Sequence, residues 1–123
     1  MPNRTPPTAA SSRRRILEIG TGDGDGTLAL AATLPPDGLL ITMEPDAARA
    51  TAARQRFSVA GVSDRVSVIV GEPGRFLHKI RGPFDLIAQN DADDRDGLHR
   101  RLMALLGPGG VLIRGDRKYG QEI

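Results

Sequence analysis

Four glycines alternate through Gly20-Thr21-Gly22-Asp23-Gly24-Asp25-Gly26, directly after the short β-branched run Arg15-Ile16-Leu17-Glu18-Ile19. Such a loop turns tightly and offers bare main chain to a ligand, because no Cβ intervenes. Alone it says little, since glycine-rich turns join many strands to helices. Three carboxylates give it meaning. Glu18 sits two residues before the first glycine, where a carboxylate faces the ammonium of an amino-acid ligand. Glu44 ends the next apolar run, twenty residues after Gly24, where an acid accepts hydrogen bonds from both hydroxyls of a ribose. Glu72 follows the third such run and either receives an exocyclic amine or, with Pro73, starts the next helix. A dinucleotide fingerprint would need its third glycine at position 25, which is Asp25, and an apolar residue in place of Glu18.

These groups need elements to hold them, and the chain supplies strands and helices in strict alternation. Strands are expected at 15–19, 39–43, 66–70, 84–88 and 111–114. Helices are expected at 27–34, 46–60, 74–80 and 94–106. Ala50, Ala53, Phe57 and Ala60 form the inward stripe of the second helix, with Arg49, Arg54 and Arg56 outside. Gly107-Pro108-Gly109-Gly110 reads as the break between the last helix and the fifth strand. Alternation of this kind predicts an α/β, Rossmann-like, doubly wound parallel sheet of about five strands in the order 3-2-1-4-5. The ligand crevice then lies at the carboxyl ends of the strands, beside the first.

Composition bounds the rest. The 123 residues allow one domain, 13–123, preceded by a loose arm over 1–12. With three Phe, one Tyr and no Trp, the core must be aliphatic. The absence of Cys excludes disulfides, thiolate metal sites and a cysteine nucleophile. No apolar run approaches the ~20 residues of a membrane helix, and the polar start has no signal-peptide stretch. The expectation is a cytoplasmic protein with no membrane partner. A net charge of +2 leaves only Arg13-Arg14-Arg15 as a basic cluster, so no nucleic-acid partner is expected. His78 and His99, both on helical segments without a nucleophile nearby, are expected to do no acid–base work.

In combination, Leu17-Glu18-Ile19-Gly20-Thr21-Gly22, Ile41-Thr42-Met43-Glu44-Pro45-Asp46, Ala60-Gly61-Val62, Phe84-Asp85-Leu86-Ile87 and Leu106-Gly107-Pro108-Gly109-Gly110-Val111-Leu112 resemble class I S-adenosylmethionine-dependent methyltransferases. The nearest likeness is to the metal-dependent O-methyltransferases of the catechol and caffeoyl-CoA type, over roughly 15–115. The resemblance implies S-adenosylmethionine as cofactor and S-adenosylhomocysteine as product. Glu18 and the Gly20-Thr21-Gly22 backbone would hold the methionine end, Glu44 the ribose, and Gly71-Glu72 the adenine, with the sulfonium near Asn90 and Asp91.

The sequence also departs from the family's pattern. An Asp-Ala-Asp-Lys-like run after strand 4 reads here as Gln89-Asn90-Asp91-Ala92-Asp93-Asp94, so Asp91 is the candidate catalytic residue and Asp94 replaces a lysine. An Asp-Asn pair after strand 5 becomes Gly115-Asp116. Mg²⁺ among Asp91, Asp93 and Asp116 is conceivable, but an exposed acidic loop capping a helix is the stronger reading, and no metal site is expected. The family also has helices before strand 1 and an antiparallel strand pair after strand 5, for which this chain leaves little length. The leading expectation is a minimal methyltransferase of unknown acceptor, whether phenol, protein side chain or nucleic acid. The alternative is a non-catalytic relative that binds the cofactor or serves assembly. A bare fifth strand at the sheet edge would favour a homodimer, unless 117–123 folds back over it.

Overall fold

A computed structural model describes residues 13–90, 97–115 and 117–120 of the chain. The strands are β1 (Arg15–Ile19), β2 (Leu39–Glu44), β3 (Val66–Val70), β4 (Phe84–Gln89), β5 (Leu106–Arg114) and β6 (Arg117–Gly120). The helices are α1 (Asp25–Ala31), α2 (Ala47–Ala60), α3 (Pro73–Phe76, continued by a 3₁₀ turn over Leu77–Lys79) and α4 (Leu98–Met103). One sheet runs β3-β2-β1-β4-β5-β6, parallel except for β6. The expected order 3-2-1-4-5 is therefore present, with one strand added.

Side chains of β1 alternate between two aliphatic cores, as a sheet covered on both faces requires. Leu17 and Ile19 join Met43, Phe84, Ile87, Leu102 and Leu112 on one face. Ile16 joins Ala31, Leu34, Leu40 and Leu86 on the other. Glu18 shares the parity of Ile16 and so points beneath α1. The α2 stripe buries Ala50, Ala53 and Phe57, while Ala60, in the last turn, is exposed. Asp46 caps α2, accepting the N–H groups of Ala48 and Arg49, and Gly61 ends it.

Two expectations about the carboxyl-terminal part are corrected. Gly107-Pro108-Gly109-Gly110 lies inside β5, not before it. Leu106 pairs with Phe84 and Val111 with Leu86, so the four residues form a bulge that opposes Asp85. Nor is β5 an edge: β6 pairs along it antiparallel, from Val111↔Gly120 to Arg114↔Arg117. The outer strands among the described residues are β3 and β6.

At the amino ends of the strands the arginine cluster serves the fold. The backbone N–H groups of Arg14 and Arg15 donate to the Asp85 carboxylate at 2.8 and 3.0 Å. Arg14 pairs with Asp37. Arg15 donates to the carbonyls of Pro83 and Arg81 and lies over the Phe84 ring, 4.9 Å from its centre. Tyr119 of β6 meets the His99 ring edge-on at 4.6 Å, linking β6 to α4. His78 is exposed. Among the described residues no helix is long and apolar enough to cross a membrane.

Candidate functional site

The glycine loop crosses the carboxyl end of β1, with β2 on one side and β4 on the other. Gly20 and Thr21 both donate their N–H groups to the Met43 carbonyl, at 2.9 and 3.2 Å, which pulls the loop over β2. On the other side Asn90 N–H donates to the Ile19 carbonyl at 3.0 Å. The loop then turns into α1 at Gly24, whose φ of +91° is left-handed. A Cβ there would lie 3.0 Å from the Phe57 ring, so both the conformation and the close packing on α2 call for glycine.

Beneath the loop, Glu18 is only 1% exposed. Its Oε1 accepts hydrogen bonds from the hydroxyls of Thr27 and of Thr42, the latter at 2.7 Å. Its Oε2 accepts from Asn90 Nδ2 at 3.1 Å. Thr42 spends its one proton on Glu18, so Thr21 donates to Thr42 across their 2.6 Å contact. Asn90 Nδ2 also donates to the Gly20 carbonyl at 2.8 Å. One carboxylate thus joins β1, β2, α1 and the end of β4. Burial pushes its pKa above the ordinary carboxylate value, and the bonds from Thr27, Thr42 and Asn90 pull it partway back.

Glu44 is 4% exposed and its carboxylate is fixed on both oxygens. Oε1 accepts the Gly22 N–H at 2.9 Å and Oε2 the Asp46 N–H at 3.0 Å. A carboxylate has about four acceptor positions, so each oxygen keeps one for a ligand hydroxyl. The Glu44 carbonyl also accepts the Gly71 N–H at 3.0 Å. Gly71 has a φ of +155°, and a Cβ there would stand 2.4 Å from the Phe76 ring, so no larger residue fits. Glu72 is exposed before α3; Pro73 starts that helix, and the Glu72 side chain makes no capping bond. Beside the loop, Gly22, Asp23, Arg49, Ala52, Ala53 and Arg56 line an open hollow of about 530 Å³.

The structure therefore gathers Glu18, Gly20, Thr21, Gly22, Glu44, Gly71, Glu72 and Asn90 along the carboxyl edge of β1, β2, β3 and β4. They differ in depth: Glu18 is enclosed, whereas Asn90 and Glu72 are exposed. Asp91, Asp93, Asp94 and Asp116 lie outside the described residues, as does the arm over 1–12. Among the described residues no group of three His, Asp or Glu side chains is placed to hold a metal. Sequence reading missed Thr27 and Thr42. The available signal was a hydroxyl residue interrupting the apolar Leu39-Leu40-Ile41-Thr42-Met43, directly opposite Glu18 in the next strand.

A Rossmann-like sheet with a glycine loop after β1 and an acid at the end of β2 defines a nucleoside-binding α/β domain. Comparison with known proteins narrows this. The O-methyltransferase family matches over residues 9–118, and the chain belongs to that family. A catechol O-methyltransferase of Mycobacterium tuberculosis is 43% identical over 79 residues, covering 63% of this chain and 36% of that protein. The O-methyltransferase TomG of Streptomyces achromogenes, solved in complex with S-adenosylmethionine (SAM), superposes with a TM-score of 0.80 at 33% identity. That match covers 86% of this chain and 50% of TomG. An O-methyltransferase of Bacillus cereus in complex with S-adenosylhomocysteine (SAH) gives 0.78 at 31% identity, over 86% of this chain and 50% of that one. The chain spans about half the length of these solved structures, and about a third of the catechol enzyme.

The enclosed Glu18 makes a pH-dependent contribution to stability. Its folded pKa is raised, so the folded state is favoured while Glu18 is protonated, and this is lost as pH rises through the folded value. Glu18→Gln removes the titration. In urea unfolding, wild type should lose stability relative to the variant as pH rises from the ordinary value of 4.5 upward. A wild-type-minus-variant difference that stays flat with pH contradicts the assignment.

Proposed function

We propose that this chain is the cofactor-binding core of a SAM-dependent O-methyltransferase. The observation that carries the reading is Glu44, fixed by the N–H groups of Gly22 and Asp46 at the mouth of the crevice with an acceptor position left on each oxygen. Those are the acceptors that the two hydroxyls of a ribose need. In the proposed complex the Gly20-Thr21-Gly22 backbone receives the methionine end and Gly71-Glu72 the adenine. Glu18 acts from beneath the loop, its charge reaching an ammonium through the low-dielectric interior. Asn90, its amide oriented by Glu18 and Gly20, stands at the exposed rim where the sulfonium would lie.

When bound, SAM supplies an activated methyl group, and what is asked of the protein is alignment. Transfer is an in-line displacement, so rate comes from holding cofactor and acceptor oxygen in register. Asp91, which follows Asn90 in the chain, is the proposed catalytic residue. Asp94 in place of a lysine and Gly115 in place of an aspartate argue against Mg²⁺-dependent transfer to a catechol. The proposal includes a cytoplasmic setting, to which the lack of Cys is suited. It also includes a homodimer, supported by β3 and β6 being the outer strands among the described residues and by the prevalence of two-fold pairs.

Calorimetry with SAH tests the cofactor reading. Wild type should bind equally with and without Mg²⁺, and Glu44→Ala should weaken binding by ~1–3 kcal/mol, the cost of a lost charged hydrogen-bond partner. No heat from wild type at millimolar SAH contradicts the proposal. Sedimentation at micromolar concentration tests the pairing: a species of twice the 13.1 kDa chain mass is expected, and a clean monomer overturns it.

A further inference from the structure

The glycine loop is gripped from outside by α2 as well as from beneath by Glu18. Arg56, in the carboxyl-terminal half of α2, reaches across to it. Its Nη1 donates to the Asp23 carbonyl at 2.6 Å, and its Nη2 lies 2.8 Å from Asp25 Oδ1. One turn of the guanidinium fork thus holds a loop carbonyl and a carboxylate in the first turn of α1 together. The next residue, Phe57, carries the underside of Gly24. The loop's own bonds are local: Gly24 N–H to the Thr21 carbonyl and Asp25 N–H to Asp23 Oδ1, both at 3.0 Å.

Arg56 and Asp25 are well exposed, at 45% and 71%, so as an ion pair they add little to global stability. Their geometry has a different consequence. A planar guanidinium that satisfies two acceptors at once fixes their relative position. Here the acceptors flank Gly24, the turn that directly follows Gly20-Thr21-Gly22 and fixes where that main chain leads into α1. Besides the Met43 carbonyl, the β2–α2 unit holds the loop through three side chains, with Glu44 on Gly22, Phe57 under Gly24 and Arg56 on Asp23 and Asp25.

We propose that Arg56 is a positioning residue for cofactor binding: it clamps Asp23 and Asp25 so that the Gly20–Gly22 main chain is preformed for the amino-acid end of the ligand. This rests on the SAM reading above. A preformed loop lowers the ordering cost of binding, so the clamp shows in affinity more than in stability.

Arg56→Ala and Arg56→Lys test it by two independent readouts. In the ligand-free protein, amide exchange at Asp23, Gly24 and Asp25 should accelerate about tenfold in Arg56→Ala, while Leu17 and Ile87 in the sheet are unchanged. SAH affinity should fall about tenfold, with Arg56→Lys between the two and the urea midpoint nearly unmoved. Unchanged loop exchange overturns the clamp. Faster loop exchange with undiminished SAH affinity overturns its role in binding. A fall in affinity matched by a large fall in the urea midpoint overturns it too, because the effect is then on the fold. Wild type that fails to bind SAH overturns the cofactor reading, and with it the ligand half of this proposal; the exchange readout still decides the clamp.

Discussion

A carboxylate placed where water scarcely reaches it must be answered by the protein, and that demand organises the carboxyl edge of this sheet. Glu18 has three hydrogen-bond donors, one each from α1, β2 and the residue after β4. An unanswered buried charge costs several kcal/mol, so these three elements cannot drift independently of β1. The glycine loop lies directly above. Its path over β2 is set by the Met43 carbonyl, and Asn90 joins it to the β4 side by bonding Gly20 and Glu18 together.

Glu44 performs the complementary task at the rim. Its two oxygens gather the N–H groups of Gly22 and Asp46, joining the loop to the start of α2. One acid is enclosed and braces the loop; the other is bound once on each oxygen, with one further acceptor position on each. This difference follows from strand parity and from how far each strand runs. Glu18 lies within β1 under α1, whereas Glu44 is the last residue of β2.

Local signals in the sequence were enough for the features that local chemistry decides. The bounds of β1 and β3, the start of β2, the run of α2 to Ala60 and the glycine-rich turn after β1 all follow from β-branched runs, turn residues and spacing. Features decided by pairing at a distance were not legible. Gly107-Pro108-Gly109-Gly110 reads locally as a break, yet Leu106 is held in β5 by its pairing with Phe84. Arg117-Lys118-Tyr119-Gly120 has no apolar alternation, and becomes β6 only because β5 offers a partner. The enclosure of Glu18 was equally hidden, because Thr27, Thr42 and Asn90 come from separate elements. The inward stripe of α2 was read one residue too far, to Ala60.

The central claim is that the groups arranged by these two acids form one nucleoside-binding crevice at the carboxyl edge of the sheet. Titrating ¹⁵N-labelled protein with SAH, and following each amide by NMR, tests it most directly. Saturable shifts are predicted at Gly20, Thr21, Gly22, Gly71 and Asn90, with Arg15, Leu39 and Phe84 at the opposite edge unmoved. Shifts centred on that opposite edge, or none that saturate, would contradict the account.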